Sequence, residues 1–167
     1  MIQAAPISAE AFAPYGHLAR SGDGVTRSIR DGSVLLTKTP AQCDHDDKAV
    51  NYALDFYDVA PERDRLHMTQ AEQHPHSSQL FMPFSAERYL VVVWPEKPAP
   101  HVTPQAFIAG GTDIVIYNPG VWHHGIVALD RQTLFASAMW RTADGREDAV
   151  FLPLDEPIEV TWPESAA

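Results

Sequence analysis

Cysteine is almost absent from this chain: of 167 residues only Cys43 carries a thiol. An intrachain disulfide is therefore impossible, and a cysteine-built zinc centre is excluded. Cys43 sits in Gln42-Cys43-Asp44-His45-Asp46-Asp47, where acidic neighbours raise a thiol pKa, so it is expected to be inert. Positive charge is scarce as well. Twelve Lys and Arg stand against 22 Asp and Glu, a formal net charge of -10, which argues against nucleic acid and anionic membranes as partners. An anionic substrate would need local positive charge from a metal ion, an arginine or backbone N–H groups. Long apolar runs are missing too. The longest, Tyr89 to Trp94, is far too short to span a bilayer. No basic patch followed by an apolar run opens the chain, so no signal peptide is expected and a cytoplasmic protein is the default.

What the chain does have is punctuation. Fourteen prolines and nine glycines suit many short strands separated by turns, and the length suits one domain over residues 1–167. Ser8 can cap a helical turn ending near Pro14. Residues 16–32 read as polar and turn-rich. Ala49 to Asp58 alternates as a half-buried strand, with Val50, Tyr52, Leu54 and Phe56 on one face. Residues 65–72 and 79–82 are further strand candidates, and Tyr89 to Trp94 reads as a buried central strand. Thr103 to Gly110, with Pro104 after a Thr cap and a Gly stop, reads as a short helix. Strands are expected over 114–117, 122–129 and 133–140, with a last edge strand over 158–162. The sum is an all-β, antiparallel fold, closed or sandwiched, with one or two short helices.

Chemistry concentrates in two stretches. One is Glu72-Gln73-His74-Pro75-His76-Ser77-Ser78-Gln79-Leu80-Phe81-Met82-Pro83; the other is Asp113 to His124, a strand running into a Pro119-Gly120 corner and two histidines. Neutral imidazole binds metals or carries protons near pH 7. In an extended chain His74 and His76 point the same way, and Gln79 joins them only across a local irregularity. Only one of His123 and His124 can face inward along a strand. A His-Pro-His turn is commonly a solvated loop, and the run Asp44 to Asp47 is expected to be one.

These two stretches resemble the paired motifs of cupin barrels, His-x-His followed by Gly-Asp, Pro-Gly and a third His; by that comparison His123 faces inward. More specifically, Glu72-x-His74-Pro75-x-x-Ser78-Gln79-x-Phe81-x-Pro83 and Tyr117-x-x-Gly120-Val121-Trp122-His123-His124 resemble the ureidoglycolate lyase family, in order and spacing, over about residues 66 to 140. The resemblance implies a cupin-like antiparallel β-barrel, a homodimer, and cleavage of (S)-ureidoglycolate to glyoxylate and urea in allantoin and purine catabolism. It implies a small anionic substrate and no organic cofactor. His74 and His123 become the candidate acid–base pair, and Gln79 and Tyr117 candidate hydrogen-bonding groups. Alternatively His74, Gln79 and His123, with His76 as a further candidate, hold a divalent metal, nickel being favoured. Arginines the family carries before the first-motif histidine and upstream are replaced here, Gln73 standing in one position; if those arginines clamp the substrate carboxylate, this chain either recognises something else or uses Arg30 or Arg65 as a substitute clamp. Two other readings stand beside the lyase: a paralogue acting on another small hydroxy or keto acid, and a non-catalytic metabolite-binding barrel.

Overall fold

The computed structural model describes residues 1–164. Its strands are β1 (Ile2–Gln3), β2 (Ala5–Pro6), β3 (Gly16–Ala19), β4 (Val25–Ile29), β5 (Val34–Lys38), β6 (Ala49–Val59), β7 (Leu66–Gln73), β8 (Gln79–Pro83), β9 (Arg88–Val93), β10 (Gln105–Gly110), β11 (Ile114–Tyr117), β12 (Val127–Ala128), β13 (Thr133–Thr142) and β14 (Val150–Thr161). One helical turn, α1 (Ala9–Phe12), is capped as expected, with Ser8 Oγ accepting from the Ala11 N–H.

The all-β class is thus as expected. Pairing among the named strands is antiparallel except where the short β1 and β2 lie parallel to β14 and β10. One sheet runs β3-β11-β8-β13-β6; against it stand β12-β9-β10-β2 and β1-β14-β7, while β4 and β5 form a separate hairpin. The sheets stack as a sandwich and are not hydrogen-bonded edge to edge into a closed barrel. β9 explains the layering. Its Tyr89, Val91 and Val93 enter one core with Phe81, Val115, Tyr117 and Phe135. Its Leu90 and Val92, followed by Trp94, enter a second core with Met68, Ala106, Trp122 and Val160. A strand buried on both faces needs a continuous apolar run, which is what residues 89–94 supply.

Several expectations need correction. Residues 105–110 are strand β10, not a helix, because all six pair with β9 and their alternation feeds both cores; Thr-Pro and Gly serve as strand boundaries equally well. Residues 16–32 are not simply turn, since β3 and β4 lie there. β14 is longer than expected and interior, between β1 and β7. The segment 122–129 is strand only at β12, with His123 bridging Glu72 and Val93. Most telling is β6. Its alternation is real, yet Val50, Tyr52, Leu54 and Phe56 are 59%, 62%, 58% and 63% exposed. β6 is the outermost strand of its sheet, and this face points away from the sandwich. No helix among the described residues is long and apolar enough to cross a membrane.

Candidate active site

Backbone pairing builds the site. Glu72 N–H donates to the His123 carbonyl and His123 N–H to that of Glu72, both at 2.8 Å, and Gly120 N–H donates to the His74 carbonyl at 2.8 Å. Gly120 takes φ +75° at the Pro-Gly corner, a conformation that glycine adopts without a Cβ penalty. The corner is therefore stitched to the His74 loop, and both histidine stretches converge. Asp113 has a scaffolding role: its carboxylate receives Arg20 at 2.6 Å and the Gly110 N–H at 2.8 Å, fixing the turn into β11.

Of the residues singled out in the sequence, His74, Gln79, His123 and Tyr117 come together. The chain turns at Pro75-His76 instead of running extended, so the side-chain alternation is reset and Gln79, first residue of β8, can point to the same place as His74. The same turn sends His76 elsewhere: its Nδ1 lies 2.7 Å from Asp46 Oδ2 and its Nε2 3.5 Å from Glu147, outside the cluster. His123 is 1% exposed and faces inward, while Trp122 joins the second core. His124 bonds the Gly125 carbonyl through Nδ1. Tyr117 is buried and stacks beneath His123, ring centroids 4.1 Å apart at 14°; burial and the Glu72 charge push its phenol pKa far up.

Glu72 also joins the cluster, although its place in the first motif assigns it no role from sequence alone. Its carboxylate lies 3.5 Å from His123 Nε2, and the ligand atoms of Glu72, His74 and His123 lie within 4.8 Å of one another. Strand periodicity could have found it, since Glu72 and His74 are two apart at the end of β7. Burial raises the Glu72 pKa, against the opposing effect of His74.

The hydrogen bonds assign both imidazole tautomers. His74 Nδ1 lies 2.7 Å from the Asp148 carbonyl and His123 Nδ1 2.9 Å from that of Val121. Carbonyls only accept, so each Nδ1 carries the proton and each Nε2 presents a lone pair. Burial, and secondarily the His74 charge, pulls the His123 pKa down to about 3, so this ring stays neutral. His74 Nε2 is buried without a partner, and His123 Nε2 faces Gln79 Oε1 at 3.1 Å. Two imidazole lone pairs, a carboxylate and an amide oxygen thus converge with no proton among them. That donor set fits a divalent cation. Without one, a half turn of the Gln79 amide would place its NH2 against His123.

The cluster opens into a cavity of about 500 Å³ lined by Glu72, His74 and Gln79 together with Tyr57, Arg141 and Asp148. A groove of about 570 Å³ beside Trp94 and Leu152 carries Lys97, Thr103, Asp155 and Glu156 but no histidine. Neither expected substitute clamp reaches the cavity. Arg65 pairs with Glu159 on the surface, and Arg30 lies in the turn of the β4–β5 hairpin. Arg141, which no local motif advertised, is there because β13 pairs with β8 and carries it past Gln79. Cys43 lies apart, its pKa raised by burial and then by Asp44.

The ureidoglycolate lyase family model matches residues 1–161. The chain belongs to the ureidoglycolate lyase family. A putative ureidoglycolate lyase of Agrobacterium fabrum is 33% identical over 162 residues, spanning 95% of this chain and 94% of that one. A ureidoglycolate lyase of Pseudomonas syringae pv. tomato is 31% identical over 134 residues, 78% and 77% of the two chains. Among solved structures, a dTDP sugar isomerase from Desulfovibrio desulfuricans aligns with TM-score 0.48 and 18% identity, covering 85% of this chain and 87% of that one. As in its family, the chain is an enzyme of the lyase class, and the two histidine-bearing stretches, 72–83 and 117–124, are those that meet in space.

Proposed function

We propose that this protein splits (S)-ureidoglycolate into glyoxylate and urea. The observation that supports it most directly is the cluster of Glu72, His74, Gln79 and His123 at the floor of a small-molecule cavity, in a chain whose relatives carry that name. The substrate carries a hydroxyl and a ureido nitrogen on the carbon next to its carboxylate. Cleavage removes the hydroxyl proton, forms the carbonyl of glyoxylate, breaks the C–N bond and leaves its electron pair on nitrogen, which takes a proton. No water is consumed.

His74 Nε2, His123 Nε2 and Gln79 Oε1 would hold a divalent metal, for which nickel suits the imidazole donors. When bound, such an ion supplies Lewis acidity and offsets the acidic background of the chain. The proton belongs to Glu72. His123 donates through Nδ1 to the Val121 carbonyl and would give its Nε2 lone pair to the cation, so it holds no proton for the leaving nitrogen. Glu72 borders the cavity with its carboxylate 3.5 Å from His123 Nε2, within reach of a substrate held there, where a carboxylate can accept and return a proton. The donor and acceptor atoms sit on one substrate carbon, so one carboxylate can take the hydroxyl proton and deliver it to the departing nitrogen. Tyr117 positions His123 by stacking beneath it.

The protein acts as a homodimer through the outward face of β6, β13 and β8. Val50, Tyr52, Leu54, Phe56, Met82, Phe84 and Leu134 are all exposed there, an apolar extent that isolated chains rarely leave in water. The deciding test of the activity is release of glyoxylate and urea from racemic ureidoglycolate, corrected for spontaneous decay. Turnover that halts near half the substrate supports a stereospecific lyase. No rate above background, with nickel or manganese supplied, would remove this reading in favour of a paralogue acting on another small hydroxy acid.

A further inference from the structure

The cation of the cavity is oddly placed for a carboxylate clamp. Arg141 is bonded to Asp55 through Nη2, and its Nε lies 3.9 Å from Asp148 Oδ2. Its charge is already balanced by two carboxylates, and a third, brought by a substrate, would meet their repulsion. A neutral group with a strong acceptor dipole meets none. Asp148 has the complementary vacancy. Its Oδ1 accepts from the Thr142 N–H at 2.7 Å and the Thr142 hydroxyl at 2.8 Å, so its Oδ1 is occupied. Its Oδ2 has only the distant Arg141 Nε near it. A guanidinium donor and a carboxylate acceptor thus stand side by side on one wall. That pair matches a ureido group, whose carbonyl accepts and whose NH2 donates.

The placement relative to the metal-type cluster is also apt. Met139 pairs with Gln79 across β13 and β8, and Arg141 is two residues further on, about 7 Å along the strand. Asp148 is held to the cluster by its own backbone, whose carbonyl receives His74 Nδ1 at 2.7 Å. One residue therefore orients the imidazole and offers Oδ2 to the ligand. Tyr57 borders the same wall, in the field of Asp55, Glu72 and Arg141.

We propose that Arg141 and Asp148 form a ureido subsite: Arg141 donates to the ureido carbonyl, Asp148 Oδ2 accepts from the terminal NH2, and the substrate carboxylate lies at the Glu72–His74–His123 end. This rests on the ureidoglycolate reading and assigns a substrate orientation within it. It assigns no arginine to the carboxylate, whose positive partner would be the divalent cation held by His74, Gln79 and His123.

The test is calorimetric binding of two stable ligands to the protein as purified. N-Carbamoylglycine keeps the carboxylate and ureido group; glycolate keeps the carboxylate and hydroxyl. R141Q should weaken N-carbamoylglycine by about 10-fold to 100-fold, the value of a hydrogen bond to a charged group, and leave glycolate unchanged. D148N, which can keep an oxygen toward Thr142 and turns Oδ2 into a donor, should show the same selectivity and serves if R141Q folds poorly. Equal loss of both ligands in folded R141Q would make Arg141 a carboxylate clamp and overturn the proposal. Unchanged binding of N-carbamoylglycine by both variants would overturn it too. A wild type that binds glycolate and not N-carbamoylglycine would instead strike the ureidoglycolate reading itself.

Discussion

Glu72 and His123 face one another as a hydrogen-bonded antiparallel pair, each N–H donating to the other's carbonyl at 2.8 Å. Directly opposed residues hold their side chains on one side of the ladder. The Glu72 carboxylate consequently lies 3.5 Å from His123 Nε2 without any side-chain device to bring it there. The acid–base proposal depends on that relationship.

Glu72→Gln should therefore lower kcat by about 100-fold to 10,000-fold, the usual span for losing a proton-transfer group. Circular dichroism should be unchanged, because the backbone pair survives. A variant retaining more than a tenth of wild-type kcat would take Glu72 out of the proton path.

Metal dependence follows from the orphaned His74 Nε2. Exhaustive chelation should abolish turnover and lower Tm, and nickel should restore both, since a ligand that binds only the folded state stabilises it by mass action. His74→Ala should lose the nickel-dependent Tm shift. Metal analysis showing no divalent ion at any loading would remove the ligand assignment.

The acid response of the chelated protein has a defined sign. The His123 pKa falls from 6.5 unfolded to about 3 folded, so between those values the unfolded chain binds more protons. Stability present near pH 7 is then lost as pH falls through that window, with a slope of about 1.4 kcal/mol per pH unit. The His124 pKa is also lowered by burial and adds the same sign. Urea titrations at pH 7 and pH 5 should show a smaller difference in His123→Gln than in wild type.

Leu54→Glu and Phe56→Glu place charges on the exposed apolar face of β6. Sedimentation should report a dimer for wild type and a monomer for the double variant, with the far-ultraviolet spectrum retained. A monomeric wild type would assign that face to another partner.

Tyr117→Phe tests whether the phenol hydroxyl matters. The ring stacked under His123 is preserved, so kcat/KM should stay within about three-fold of wild type. Tyr117→Ala should cost about 3–5 kcal/mol of stability, as for other large buried aromatics.

Local chemistry made much of this protein legible from sequence. The apolar run 89–94 reads as a buried central strand, and the Pro119-Gly120 corner as a chain reversal that can aim a histidine, and both readings hold. The recurrence of His74, Gln79 and His123 in a familiar spacing pointed to one site. Three matters were decided by pairing between distant strands. Residues 103–110 carry end signals compatible with helix or strand, and partnership with β9 settled it. The alternation of β6 was visible, yet which face lies inward depends on its place at the sheet edge. Arg141 and Asp148 bear no motif at all. They enter the cavity because β13 lies beside β8 and because the Asp148 carbonyl receives His74. Sequence periodicity reports what a segment can bury; which neighbour buries it is set only when non-local strands meet.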